Sequence, residues 1–394
     1  LDNRVLTSQD AKSSLSTVDD RLAALKASQR KWIPNGAVED WHYLDAAAFP
    51  WEKAEVAARP HASLSADIEP QTDGKLSVMD AAQLRTLLAV QDQDTDAKFL
   101  YLHGAMTGAV AAYRIPADSH GISTRIVQRI SGPAALTTAL VVEKGADAVV
   151  YNQWESTAES VLPAIGRIEI VLEPGARLHF LHEDDLGFPT YLYSRVRAQI
   201  AEGAHLDLGI LTTGSAWHAT KIEIGLEGPN AESTTHGLFC GTGERLAEHR
   251  TFQHHPCERA KSDLLFKSLL TGKSRSIFQG MIRVEPAAQH TDAYQACRNL
   301  VLSSDAHTQA IPRLEILADD VRCSHGVTVG TVDEDILFYL MTRGLSRSQA
   351  TAAIAAGFAE EIIRRIPVKD VADRWRQFVQ QAIARGLAGA ERTD

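Results

Sequence analysis

A loose internal repeat constrains this chain more than any other feature. Four segments close in the same way, on an apolar β-type run, then Glu, a tight turn with Gly, and often Ala: Leu140–Ala146, Ile168–Ala176, Ala198–Ala204 and Ile222–Gly228. The turn glycines Gly145, Gly175, Gly203 and Gly228 are 30, 28 and 25 residues apart. That period is too long for a hairpin and too short for a domain. It fits the coils of a solenoid, in which strand stacks on strand and Gly permits each corner. An irregular β-sandwich is the competing architecture.

The flanks read differently. At roughly 150 residues per domain, 394 residues allow two to three units. Residues 1–97 read as mainly helical. Ser8 through Trp32 carries Leu15, Val18, Leu22 and Leu25 near helical spacing, and Pro34-Asn35-Gly36 ends that helix. An acidic and aromatic cluster follows at Glu39-Asp40-Trp41-His42-Tyr43. Pro60 to Lys75 reads as a connector and Asp80 to Leu88 as a short helix. Residues 98–330 hold the repeat, and residues 331–394 are helical again. Asp333 N-caps a helix to Arg343, with Gly344 just beyond. Ser346-Arg347-Ser348-Gln349 forms a capping box for a second helix, running to about Arg365 before Pro367. A third helix places Val371, Trp375, Phe378, Val379 and Ile383 on one face, with Gly386 near its end.

Composition excludes whole classes. With 44% hydrophobic and 23% charged residues, the chain is no disordered, collagenous or disulfide-scaffold protein. No apolar run approaches the ~18 residues of a membrane span. Forty basic against fifty acidic residues leave a net charge of −10, which argues against nucleic acid as a partner. Cys240, Cys257, Cys297 and Cys323 form no C-x-x-C, as expected of free thiols in a reducing compartment. The start, Leu1-Asp2-Asn3-Arg4, carries no secretory pattern, so the expected location is cytoplasmic.

Familiar catalytic motifs are incomplete. Thr271-Gly272-Lys273-Ser274 has the tail of a phosphate-binding loop, but Lys267 stands where the loop needs glycine. Gly241-Thr242-Gly243 begins a dinucleotide pattern that fails at Leu246, and no G-x-S-x-G occurs. His179, His182 and Glu183 invite a metal-dependent β-fold enzyme. Strand alternation, however, sends two histidines three apart to opposite faces. His254-His255-Pro256-Cys257 reads as a loop with exposed imidazoles rather than a metal site.

Residues 277–344 carry the most specific signal. They contain Ile277-Phe278-Gln279-Gly280-Met281, Gln289-His290-Thr291-Asp292-Ala293-Tyr294, Pro312-Arg313-Leu314-Glu315-Ile316, Asp319-Asp320-Val321-Arg322-Cys323-Ser324-His325-Gly326 and Leu337-Phe338-Tyr339-Leu340. In order and spacing these blocks resemble the SufB/SufD family of iron–sulfur cluster assembly scaffolds. The string from Asp319 to Gly326 and the Glu39–Tyr43 cluster are closer to the SufD branch. The resemblance implies a mainly β fold, a right-handed parallel β-helix between N- and C-terminal helical regions. It also implies a non-enzymatic scaffold that works with a SufB-like homologue and a SufC-like ATPase and carries a transient iron–sulfur cluster on the complex. No cofactor is expected to be held tightly by the isolated chain; reduced flavin enters by resemblance alone, without a fingerprint. The C-terminal helices would dock the ATPase, with Phe338, Tyr339, Arg343 and Phe358 as candidates. On a strand Cys323 and His325 share one face, so both can reach one iron or one cluster edge at a junction between subunits. They can equally sit in a solenoid interior as a small hydrophobe and a hydrogen-bonded imidazole. Cys240, Cys257 and Cys297 read as structural. The exposed edge of such a ladder would pair with the SufB-like homologue, or in isolation with a second copy of itself. A plain solenoid interaction module without cluster chemistry is the remaining alternative.

Overall fold

A computed structural model describes residues 18–58, 66–72, 76–91, 93–106, 108–157 and 159–390. Its centre is a parallel β-solenoid of about eight turns. One sheet stacks β4 (Ile122–Ile130), β6 (Asp147–Ser156), β8 (Arg177–Asp185), β10 (His205–Thr212), β12 (Glu232–Gly241), β14 (Lys261–Leu270), β16 (Asp292–Val301) and β18 (Arg322–Gly330). The facing sheet stacks β3 (Gly108–Ile115), β5 (Ala134–Val142), β7 (Leu162–Leu172), β9 (Thr190–Ile200), β11 (Trp217–Leu226), β13 (Leu246–His255), β15 (Arg275–Val284) and β17 (His307–Ile316). Each coil contributes one strand to each sheet, which rules out the sandwich.

The start of the stack is closed by antiparallel strands. β1 (Ala66–Thr72) pairs with β4, and β2 (Ser77–Val78) pairs with β3. β1 corrects the expectation of a connector from Pro60 to Lys75, because a polar segment can serve as an edge strand through its backbone alone.

The repeated corner explains both the glycines and where their signal stops. Gly145, Gly175 and Gly203 have φ of 68°, 72° and 62°. Each donates its N–H to a carbonyl of the next coil, those of Pro174, Glu202 and Pro229. The fourth corner residue is Asn230 rather than Gly228, and Arg259 and His290 continue the series with φ of 57° and 61°. Their N–H groups reach Glu258, Gln289 and Asp320 in the same way. A left-handed non-glycine residue costs about 1 kcal/mol, and the coil-to-coil hydrogen bond holds it there.

Alternation sorts each strand into two faces. Inward residues such as Leu178, Phe180, Leu206 and Leu208 build one continuous core with Ile168, Ile170, Val196 and Ile222 of the facing sheet. Each fully buried aliphatic side chain contributes about 1.5–3 kcal/mol before the cost of ordering the chain. Outward residues are covered differently on the two sheets. The sheet of β3–β17 lies under the N-terminal elements α1 (Val18–Arg30), α2 (Trp51–Ala57), α3 (Ala81–Leu87) and α4 (Ala97–Ala105). There Trp41, Phe49, Trp51 and Phe99 pack on Tyr193 and Trp217. The residues before Val18, including Leu15, lie outside those described. The sheet of β4–β18 lies under α6 (Arg347–Ile363) and α7 (Lys369–Ala390), with α5 (Glu334–Thr342) packed beside α6. Leu181, Leu211, Leu238 and Leu265 pack there against Ile362, Trp375 and Val379.

The caps expected at Asp333 and Ser346 are both formed, the second as a complete capping box, and Asp80 caps α3 through the Gln83 N–H. Gly386 lies in the last turns of α7, near its end as expected. A Cβ there would sit 2.3 Å from Thr271 Oγ1, so glycine lets the helix approach a solenoid corner. The Thr271–Ser274 string is that corner. Gly272 stacks on Gly243, and its N–H donates to Ser303 Oγ at 2.9 Å. Among the described residues no helix is long and apolar enough to cross a membrane.

Candidate functional site

The last coil differs from every coil beneath it. No residue of β17 or β18 is buried, whereas β14 and β16 are largely buried. β18 pairs on one side with β16, and its inward row is Cys323, His325, Val327 and Val329. In the coil below, Ala293, Gln295, Cys297 and Asn299 occupy that row and are all buried. Val327 and Val329 are instead 38% and 58% exposed. Nothing stacks on them, so the solenoid ends in an open cross-section with apolar side chains and unpaired strand edges.

Cys323 and His325 share this row, as strand parity predicts. Cys323 is half-buried against the cluster of Ile282, Val284 and Ala293, and His325 is exposed. Burial and then the Asp292 charge push the Cys323 thiol above its ordinary value. In the isolated chain it is therefore a poor thiolate, and a metal or a cation at the open end would be needed to draw the proton off. The other thiols are placed differently. Cys297 lies in the interior and Cys240 under the C-terminal helices; burial pushes both up to about 12. Cys257 sits in a turn and donates to the Glu227 carbonyl at 3.2 Å.

The docking candidates divide. On α5, Phe338 is 68% exposed and Tyr339 54% exposed, beside exposed Ile336 and Met341. Arg343 lies over the Tyr339 ring at 5.1 Å. Phe358 stands apart on α6, half-buried, its ring 4.1 Å from Lys267 Nζ. Lys267, the residue that breaks the phosphate-loop pattern, donates to the Phe358 carbonyl and pairs with Glu361 at 2.5 Å.

The histidine candidates do not converge. His182 points inward to Asn152 at 3.0 Å, and burial pulls its pKa down to about 3. His179 points outward to Asp207 at 3.1 Å. Glu183, also outward, is fully buried beneath α7 and held by Arg374 at 2.8 and 2.9 Å and by the Tyr151 hydroxyl at 2.5 Å. Among the described residues no three His, Cys, Asp or Glu side chains are arranged to hold a metal ion. His254 and His255 correct the loop expectation: both lie at the end of β13. His254 meets Glu285 at 3.1 Å, and His255 is buried against Ser262 at 2.9 Å.

One charged feature escapes motif reading. On the outer face of the β3–β17 sheet, Arg167, Arg195, Lys221 and Arg250 fall in register on four successive strands. The N-terminal segment brings carboxylates to this cationic row. Asp94 meets Arg195 at 2.6 Å, while Asp96 approaches Lys221 at 3.7 Å and Arg250 at 3.4 Å. Trp41 of the acidic aromatic cluster donates to Asp96 at 2.8 Å and stacks under Arg250. The spacing of 28, 26 and 29 residues matches the coil period and is the signal that would have found the row.

Comparison with known proteins agrees with this architecture. The SUF system FeS cluster assembly, SufBD core domain matches residues 128–358. The chloroplastic protein ABCI7 of Arabidopsis thaliana is 31% identical over 219 residues, 54% of this chain and 45% of the relative. The iron–sulfur cluster assembly protein SufD of Escherichia coli is 29% identical over 225 residues, 57% of this chain and 49% of the relative. A SufBD family protein of Synechocystis is 40% identical over 126 residues, 32% of this chain and 27% of the relative. These matches span about half or less of each relative's length. The matched core extends from β4 through most of α6, more than half of the chain, and takes in the open coil, so the chain belongs to the SufBD family of the SUF iron–sulfur cluster assembly system.

Proposed function

We propose that this chain is a SufD-like scaffold subunit, non-enzymatic itself, that completes its open coil with a SufB-like homologue. The observation that carries the reading is the last coil, where the Cys323/His325 row lies uncovered above a fully buried one. A homologous coil placed against β17 and β18 would bury Val327 and Val329, satisfy the strand edges and add ligands to a row too short to hold a cluster alone. In isolation the same end would pair with a second copy. The cluster is cargo of the complex, formed transiently where the two rows meet. The exposed α5 face of Phe338 and Tyr339, with Arg343 at its edge, suits a SufC-like ATPase that supplies the energy. The four free thiols suit a reducing, cytoplasmic setting.

The test is co-expression with a SufB-like and a SufC-like protein, capture through a tag on this chain, and iron and sulfide quantitation on the captured complex. Recovery of both partners with a labile cluster is expected. Capture of neither, with the chain monomeric by light scattering, removes the scaffold reading.

A further inference from the structure

A cavity of about 330 Å3 separates α1, α3 and α4 from the outer face of the β3–β17 sheet, at the opposite end of the stack from the open coil. Its size lies at the lower end of the ~300–1,000 Å3 range of small-molecule sites. Leu84, Leu88, Leu100 and Val110 form part of a largely apolar lining, which the charged Asp20 and Arg85 also border. Against this lining stand three buried polar side chains, His103, Thr137 and Arg167. Their placement follows from register, since Val110, Thr137 and Arg167 are aligned on successive strands.

Arg167 is 1% exposed and incompletely neutralised. Its Nη1 donates to the Leu88 carbonyl at 2.8 Å and its Nη2 to Glu169 at 2.5 Å. Glu169 is also shared with Arg197 at 2.8 Å, so one carboxylate serves two guanidinium groups. The Arg167 Nε–H has no acceptor among the described residues. A buried donor without a partner is costly, and a buried guanidinium is the side chain best suited to a carboxylate. His103 adds no competing charge. Its Nε2 lies 3.1 Å from Thr137 Oγ1 and 3.3 Å from the Leu136 carbonyl, and burial followed by the Arg167 charge lowers its pKa to about 3.

We propose that this cavity binds a small monocarboxylate with an apolar body, the carboxylate meeting Arg167 and the body lying among Leu84, Leu88, Leu100 and Val110. The site is distinct from the scaffold reading and does not depend on it.

Isothermal titration of the full chain with octanoate and with 1-octanol tests the assignment. Saturable binding of one octanoate is expected, with 1-octanol at least tenfold weaker because it cannot answer the guanidinium. Val110→Trp, which fills the floor of the cavity, should weaken octanoate at least tenfold; Leu88→Trp serves if that variant does not fold. The proposal is overturned by absence of saturable octanoate binding, by 1-octanol binding equally well, or by unchanged octanoate affinity in a folded cavity-filling variant.

Discussion

Mild acid should destabilise this protein. Six buried imidazoles are held well below the ordinary value by burial: His103 and His182 at about 3, His236, His249 and His255 at about 4, and His218 as well. In the unfolded chain each takes up a proton near pH ~6.5, whereas in the folded chain it does not until well below pH 5. A depressed imidazole contributes stability that is complete above the unfolded pKa and is lost as pH falls toward the folded one. Between pH 7 and pH 5.5 each such histidine costs about 1 kcal/mol, hence about 5 kcal/mol for the first five, with His218 adding in the same direction. Raised carboxyls, Asp185 among them, work in the other direction. Burial raises Glu248 to about 7 and raises Asp184 well above its ordinary value. Their folded forms bind protons first on acidification; Glu248 returns about 2 kcal/mol over the same interval, and Asp184 acts in the same direction. A net loss of about 3 kcal/mol remains, a sizeable part of the ~5–15 kcal/mol by which domains are stable. Urea unfolding followed by tryptophan fluorescence at pH 7.0 and 5.5 measures it. His249→Gln should flatten the dependence by about 1 kcal/mol. Equal or greater stability at pH 5.5 would refute the claim that these imidazoles are neutral and water-free.

Other perturbations follow from single contacts. Arg374→Met strands the buried Glu183 carboxylate with only Tyr151 and Gln153, and should cost about 2–3 kcal/mol in urea unfolding, less than a fully buried pair because Arg374 is one-third exposed. Gly386→Ala should destabilise by about 1–2 kcal/mol despite its better helix propensity, since the new Cβ meets buried Thr271. His325→Ala should lower the iron and sulfide recovered on a reconstituted complex while capture of both partners is unchanged; an unchanged yield removes His325 from the site. Phe338→Asp should abolish capture of the SufC-like ATPase and leave the thermal midpoint within about 1 °C, because the ring is exposed.

The fold was legible where chemistry and periodicity coincided. The coil period shows at Gly145, Gly175 and Gly203 because these corners need a left-handed residue and use the one that is easily recognised. It fades at Asn230, Arg259 and His290, which adopt the same backbone without the compositional mark. The parity of His179 against His182 and of Cys323 with His325 could be read because a strand leaves no freedom in which face a residue takes. What could not be read was cover. Glu183 reads as a candidate ligand until α7 lays Arg374 over it, and the packing reason for Gly386 shows only when Thr271 is found beneath it. The cationic row from Arg167 to Arg250 is invisible to local motifs because its members meet only through stacking. The exposure of His325 likewise depends on a coil that is not there.

Both sheet faces and one end of the solenoid are spoken for within the chain, which locates where assembly can occur. The N-terminal elements cover one sheet through Trp41, Phe99 and the carboxylates on the cationic row, and α6 and α7 cover the other through Trp375 and Arg374. At the start of the stack, β1 and β2 run antiparallel to their neighbours and so end the parallel register. A further parallel coil can therefore be added only beyond β17 and β18. That edge is long and carries exposed valines, with Cys323 and His325 in the inward row of β18; Pro312 removes one backbone donor from β17, and Arg313, Glu315 and Arg322 place charges along it, so pairing there has to be selective. A homologous coil has the strand length, the side-chain alternation and the spacing to continue the ladder; a globular surface without strands does not.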